Sequence, residues 1–213
     1  MSLEVDVRKL DLFNTMAKEG SSTVADHLEQ LTGVPAAVRT SQINFLDIGD
    51  VKTHMGDAER VGIYVELTEA PGGYVLFVLD PTDARHLVGQ MMGGVGSGDD
   101  GDGFTDMERS GLQEIGNILT SGFIDGWANV LDTTIDMGTP QLLFDRTPAI
   151  IDDMGGWPRS DLVFVIDSHI VSKDTDIDLT VYTFPELQAL VDLIQDIDLD
   201  TDVAEDSTPA DVW

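Results

Sequence analysis

The sequence predicts an α+β fold made of two diverged copies of one unit, which share an extended, mostly antiparallel sheet. Two observations lead to this fold class. A long stretch of helical periodicity occurs twice, at residues 8–32 and 106–131, and the two stretches align at an offset of 99 positions. Each is followed by strand-like runs and then by a short helical pattern. We therefore expect pseudo-twofold symmetry, with the two long helices lying together.

The first copy begins with the helix at 8–32, in which apolar residues recur on one side. These are Phe13, Met16, Val24 and Leu31. A strand at 38–46 follows, and then strands 62–67 and 74–79, which Pro71-Gly72-Gly73 joins as a hairpin. A short helix begins near Pro81, because proline suits the first helical turn.

The second copy repeats this order. Its long helix starts at a capping-box pattern, in which Thr105 is followed three residues later by Glu108. Its other predicted elements are a strand at 141–144, a hairpin of strands 162–166 and 179–183 that turns at Lys173-Asp174, and a short helix near Pro185.

The domain boundaries follow from composition. We expect one domain over residues 8–195, with a first repeat at about 8–92 and a second at about 105–195. The Gly- and Asp-rich residues 93–104 read as a solvated linker, because they lack the ligand spacing of a calcium loop. The Asp-rich residues 196–213 read as a disordered tail.

The charge of the chain excludes several functions. Its 213 residues carry 40 acidic and 11 basic side chains, for a net charge of −29. No basic stripe is present to neutralise phosphates, so nucleic-acid binding is disfavoured. The acids are spread along the whole chain, a pattern that resembles proteins of extreme halophiles; an acidic face for a basic partner is the alternative.

The absence of cysteine excludes thiol chemistry and thiolate metal sites. No signal peptide or long apolar run is evident, so we expect a cytoplasmic protein without a membrane span.

The second long helix carries the strongest candidate site. Ser110, Glu114 and Asn117 stand at i, i+4 and i+7, within one narrow stripe that Ser121 extends. The opposite side is apolar and small, and its members are Leu112, Ile115, Leu119, Phe123 and Val130, with Gly122 and Gly126 between them. Asparagine has poor helix propensity, so its place in mid-helix calls for a reason. The plain alternative is a solvated face with an incidental Asn.

This segment resembles the signature of the CheC/CheX family of chemotaxis phosphatases. That signature is Asp or Ser, three residues, Glu, two residues, Asn, twenty-two residues and Pro, and Ser110, Glu114, Asn117 and Pro140 match every fixed position. The resemblance covers roughly residues 8–195 and implies the same α+β architecture.

The resemblance also implies an activity, namely dephosphorylation of phosphorylated CheY. Asn117 would orient the attacking water, since an amide both donates and accepts hydrogen bonds and does not titrate. Glu114 would pair with a lysine of the CheY-type receiver and fix its docking, while Ser110 and Pro140 would have structural roles. We expect no cofactor in this chain, because the receiver itself holds the Mg²⁺ beside its aspartyl phosphate.

The first repeat departs from the signature. A shift of 99 positions lands on Asp11, Thr15, Lys18 and Ser41. Asp11 fits the opening position, but Lys18 has no acceptor and cannot orient water as an amide does. We therefore interpret the first site as lost, which leaves one active face.

Other interpretations of the sequence stay open. The chain could be a non-catalytic interaction module of the same fold that binds CheY or CheD or acts like the flagellar switch proteins, or an unrelated α+β domain with a chance motif. The four histidines, His27, His54, His86 and His169, are scattered, and His27 is expected to be packed rather than catalytic. Two repeats in one chain make a monomer plausible.

Overall fold

The computed structural model describes residues 9–93, 103–155, 162–172 and 177–197. Within these ranges the chain forms six helices and six strands. In chain order they are α1 (Leu10–Thr32), β1 (Ala36–Asp47), α2 (Ile48–Met55), β2 (Glu59–Leu67), β3 (Gly73–Leu79), α3 (Pro81–Met91), α4 (Asp106–Leu131), β4 (Gln141–Arg146), α5 (Thr147–Met154), β5 (Leu162–Ser172), β6 (Asp178–Phe184) and α6 (Leu187–Asp196).

The strands form one antiparallel sheet in the order β1-β5-β6-β3-β2-β4. This order reads the same from either end when β1, β2 and β3 are exchanged with β4, β5 and β6. The register obeys the same symmetry, because the pair Ile43↔Ile166 corresponds to Leu142↔Ile63. The predicted fold class, with two pseudo-symmetric repeats, is therefore confirmed.

The long helices α1 and α4 pack against each other over one face of the sheet. Glycines allow their close approach, since a Cβ on Gly20 would lie 2.8 Å from the ring of Phe123, and one on Gly126 would lie 3.0 Å from the backbone of Glu19. Trp127 is completely buried in this layer. The contact fixes the direction in which the remaining sides of both helices point.

The ends of α4 follow from its sequence. Thr105 and Glu108 form the expected capping box, in which each side chain accepts a hydrogen bond from the other residue's backbone N–H. The helix ends at Asp132, whose φ of 49° is left-handed, and α1 ends at Gly33, whose φ is 70°. These two end residues are again 99 positions apart, which supports the alignment of the repeats.

The second face of the sheet is covered by α2 and α5, two helices of eight residues that the sequence pattern did not predict. Each follows directly on the first strand of its repeat. A second apolar cluster lies beneath them, and it includes Val51, Leu76, Ile150, Val165 and Phe184.

Several predicted boundaries differ from the structure. The strand placed at 162–166 continues to Ser172. The last helix starts at Leu187, so Pro185 precedes it rather than lying in its first turn. Phe104, assigned to the solvated linker, is buried as a member of the main core cluster, and the edge of that cluster continues to Phe144, whose ring is 5.8 Å away. The turn at Lys173-Asp174, most of the linker and nearly all of the tail lie outside the described residues, and the domain boundaries stay a prediction. No helix in the described ranges is long and apolar enough to span a membrane.

Candidate functional site

The predicted motif residues meet in an open groove between α4 and the segment before β4. We call it the α4 groove; its volume is ≈ 500 Å³. Its lining residues are Ser110, Gln113, Glu114 and Asn117 from the helix and Met137, Gly138, Thr139 and Pro140 from the segment. All four residues of the motif therefore line one surface, although Pro140 is 23 positions from Asn117.

The groove presents its polar groups to solvent. Ser110 and Glu114 are exposed, and Asn117 is half-buried. The backbone carbonyl of Asn117 accepts a hydrogen bond from Ser121 Oγ at 2.9 Å. The Asn117 amide makes no hydrogen bond with another described residue, and neither does the Glu114 carboxylate. Both groups are thus available to a partner.

Gly116 brings α4 close to the sheet at the floor of the groove. A Cβ at this position would lie 2.4 Å from Ile63 Cγ2 and 3.5 Å from Pro140 Cβ. Because Ile63 is fully buried in β2, the contact sets the height of Asn117 above the sheet.

Pro140 lies directly before β4, where the pairing of β4 with β2 stops, and it shapes the wall of the groove opposite α4. It has no N–H to donate, and β4 begins only at the next residue, Gln141. The segment before it is held at the bridge of Met137 to Leu67, where Gly138 N donates to Glu66 O at 2.8 Å and Thr68 N donates to Asp136 O at 2.9 Å. The segment is thus anchored to β2 at an isolated bridge and does not form a continuous ladder with it.

Three lining residues were not identified from the sequence. Gln113, Met137 and Gly138 lie outside the fixed positions of the motif, and only the fold places them beside Asn117. The helical spacing held a signal for Gln113, which is three residues after Ser110 and four before Asn117 and so lies on the same side of α4.

The first-repeat positions are built differently. Thr15 Oγ1 donates to the Asp11 carbonyl at 3.1 Å. Ser41, the counterpart of Pro140, pairs with Ser168 in the ladder, and their hydroxyl oxygens are 2.9 Å apart. Ser21 Oγ also donates to Ser168 Oγ at 2.5 Å. Here the strand stays paired where the second repeat opens a groove.

The histidines lie away from the α4 groove lining. His27 is half-buried between the long helices, with Nδ1 3.0 Å from the Ile118 carbonyl oxygen, which agrees with its predicted packing role. His54 pairs with Asp167, and His169 pairs with Asp178. In the described part of the chain no group of three His, Asp or Glu residues could hold a metal ion.

Comparison with known proteins identifies the class of protein to which this fold and these groove residues belong. A model of the CheC-like family matches residues 107–143, the stretch that contains all of α4 except Asp106 and all four motif positions. Over 197 residues, 92% of this chain, the sequence is 43% identical to a full-length relative. The chain belongs to the CheC-like family.

That relative is CheC1 of Halobacterium salinarum strain R1, whose name assigns it provisionally as a CheY-P phosphatase; the match spans its whole length. Its source is a halophile, in keeping with the acidic composition described above.

Solved structures share the fold at low identity. FliY of Thermotoga maritima matches with a TM-score of 0.63 at 18% identity, over 90% of this chain and 94% of its own. CheX of Vibrio vulnificus gives 0.56 at 14% identity, over 80% and 99%. The FliM middle domain of Helicobacter pylori gives 0.61 at 9% identity, over 91% and 100%. At these identities the likeness concerns the fold alone.

Proposed function

We propose that this chain is a phosphatase that acts on a phosphorylated CheY-type receiver in a chemotaxis pathway. The observation that carries the proposal is the pair Glu114 and Asn117, which stand side by side in the α4 groove with no partner among the described residues. The name of the halophile relative points to the same substrate.

The two side chains suit a reaction whose electrophile comes from the partner. An aspartyl phosphate already lies beside Mg²⁺ and a lysine, so the missing part is a water held in line with the phosphorus. The Asn117 amide can accept one hydrogen bond from that water and donate another to a phosphoryl oxygen. Glu114 has only acceptors when ionised and therefore suits the receiver's lysine. This division of roles is catalysis by positioning.

The groove supports the docking of a folded partner rather than a small substrate. It is open, its carboxylate is exposed, and its amide is half-buried at the floor. The side of α4 that carries Glu114 and Asn117 can reach the acidic pocket of a docked receiver. Such a partner would place the activity in the cytoplasm. CheD remains a second candidate partner.

The test is the decay of phosphorylated cognate CheY with and without the chain, in molar potassium chloride. We expect acceleration by the wild-type chain and at least a hundredfold loss in Asn117→Ala, because loss of a positioned hydrogen-bonding group costs about that much. Asn129→Ala is the matched control, since Asn129 is an exposed asparagine of the same helix. Glu114→Ala should weaken receiver binding more than it slows the bound reaction.

Two results would contradict the proposal. Full activity in Asn117→Ala would remove the amide from the mechanism. A folded wild-type chain that binds the receiver without shortening its phosphate lifetime would instead be an interaction module, and CheD would be the next partner to add.

A further inference from the structure

The N-terminal end of α4 carries an exposed apolar side chain that the proposed reaction does not use. Met107 is 58% exposed, the highest value among the large apolar side chains of the described residues. It stands seven residues before Glu114, which places the two about 20° apart around the helix and about 10 Å apart along it. Met107 therefore lies on the same exposed side of α4 as the carboxylate.

Two more methionines reach the surface of the helix beside Met107. The end of α3 packs against α4 at Gly111, one turn after Met107. A Cβ on Gly111 would lie 3.3 Å from Met91 Cε and 3.7 Å from Met92 Sδ. Because Gly111 has no side chain, the tips of both methionines lie against the backbone of α4, and both residues are half-buried. We call Met91, Met92 and Met107 the methionine patch.

The composition of the methionine patch suits contact with another protein. Single exposed apolar residues are normal on a protein surface and need no partner. A cluster of methionines differs, because unbranched and polarizable side chains adapt to the shape of another surface and are frequent where proteins bind partners. The patch is therefore a candidate docking surface.

The charge on the α3 side of the patch favours an acidic partner. Residues 84–93 contain no Asp or Glu, although the chain carries 40 acidic side chains, and they include the basic Arg85. A phosphorylated receiver brings carboxylates and a phosphoryl group to the interface. Like charges brought together oppose binding, so such a partner is best accommodated where this chain has no acids.

We propose that the methionine patch is the apolar part of the receiver-docking surface and that Met107 is its anchor. This inference rests on the proposed function for its partner. A folded receiver is wider than the α4 groove, since a domain of about 100 residues has a radius of gyration of about 13 Å. A receiver seated on Glu114 and Asn117 therefore covers Met107, which lies about 10 Å from Glu114 along the helix.

An apolar anchor also fits the salt concentration that the composition indicates. At 1 M salt the Debye length is about 3 Å, so the pairing of Glu114 with a receiver lysine is strongly screened. Burial of apolar surface does not depend on charge and is not screened. The two contacts should thus respond differently when the salt concentration is changed.

The experiment measures the affinity of the full chain for cognate CheY by titration calorimetry, with Mg²⁺ and beryllofluoride in place of the phosphoryl group. Met107→Ser should weaken binding about tenfold, because burying a methionine that is 58% exposed recovers roughly half of its full burial energy. This loss should be the same at about 0.5 M and about 3 M potassium chloride, whereas the loss caused by Glu114→Ala should shrink.

Two further variants test the apolar character and the place of the contact. Met107→Leu should recover most of the affinity, because it keeps the apolar volume. Phe45→Ser is the matched control, since Phe45 is 54% exposed but lies on β1 in the first repeat. It should leave the affinity within about twofold of the wild type.

The kinetics distinguish the inference from the proposed function. Met107→Ser should raise the receiver concentration needed for half-maximal acceleration more than it lowers the maximal rate, whereas Asn117→Ala should lower the maximal rate. If the chain binds the receiver through Met107 without shortening the phosphate lifetime, the proposed function fails and the inference stands.

Four results would overturn the inference and leave the proposed function intact. The first is wild-type affinity in Met107→Ser, and the second is a Met107→Leu variant that binds no better than Met107→Ser. The third is a loss in Met107→Ser that shrinks with salt as the loss in Glu114→Ala does. The fourth is a dimer of this chain, seen by sedimentation, that Met107→Ser separates, because the patch would then hold a second copy.

Discussion

Replacing Gly116 by alanine should reduce catalysis far more than stability. The added Cβ would lie 2.4 Å from Ile63 Cγ2, where carbon atoms normally stay about 3.5–4.0 Å apart. Ile63 is fully buried and cannot move aside freely, so α4 must lift from the sheet by about 1 Å. Asn117 follows Gly116 directly and moves with it.

The magnitudes come from two opposing effects. Overpacking of this kind costs about 1–3 kcal/mol, and alanine regains about 1 kcal/mol of helix propensity over glycine. The free energy of unfolding should therefore fall by about 0–2 kcal/mol. A displacement of about 1 Å at a positioning group can cost about a hundredfold in rate, so acceleration of CheY dephosphorylation should fall by one to two orders of magnitude.

Denaturant unfolding and phosphorylated-receiver decay, both at the same molar salt, measure the two effects. Gly89→Ala is the matched control, because Gly89 is a helical glycine of α3 and a Cβ added there would meet no neighbouring group within 4 Å. It should stabilise the chain by about 0.5–1 kcal/mol and leave the activity intact. If Gly116→Ala were as active and as stable as the wild type, Gly116 would not set the height of Asn117.

The remaining predictions concern stability. Thr105→Ala should lower the free energy of unfolding by about 1–2 kcal/mol in denaturant titrations, because it removes the N-cap of α4 and a hydrogen-bond donor to the buried Glu108; Thr105→Ser should retain most of it. Burial raises the pKa of Asp83, whose Oδ2 accepts a hydrogen bond from Asp178 N at 3.2 Å. Folding therefore disfavours the ionised form, and stability from this group is present in acid and lost as the pH rises through the raised pKa. Asp83→Asn should accordingly raise the melting temperature at pH 7 and lose that advantage below about pH 4, whereas an equal gain at both pH values would contradict the role assigned to burial.

The sequence predicted the elements that have long, strongly patterned segments. α4 was placed at its full extent because its capping box, apolar spacing and small residues all agree. The helices α2 and α5 were missed, since eight residues give too few turns for a period to show. The second half of β5 was missed because Asp167, Ser168 and His169 look like turn residues, although the sheet uses them for contacts with neighbouring strands and helices.

The same distinction applies to the candidate site, in which the residues of a sequence pattern were predicted and the residues that only the fold brings together were not. Ser110, Glu114 and Asn117 could be named from their helical spacing, and Pro140 from the resemblance to the family signature; the fold brings all four to one groove. That Met137 and Gly138 lie beside Asn117 could not be predicted, because it depends on how the segment before β4 is anchored to β2.

The interleaving of strands means that neither half of the chain can be an independent folding unit. β1 lies beside β5, and β4 lies beside β2, so each repeat leaves its own first strand to be paired by the other. The Lys9 side chain also joins the start of α1 to the end of α6 through the carbonyls of Gln195 and Ile197. Circular permutants opened between residues 93 and 103, with a short connector from 197 back to 9, would keep every described strand pair. Separately expressed halves would have to assemble before either could form its sheet.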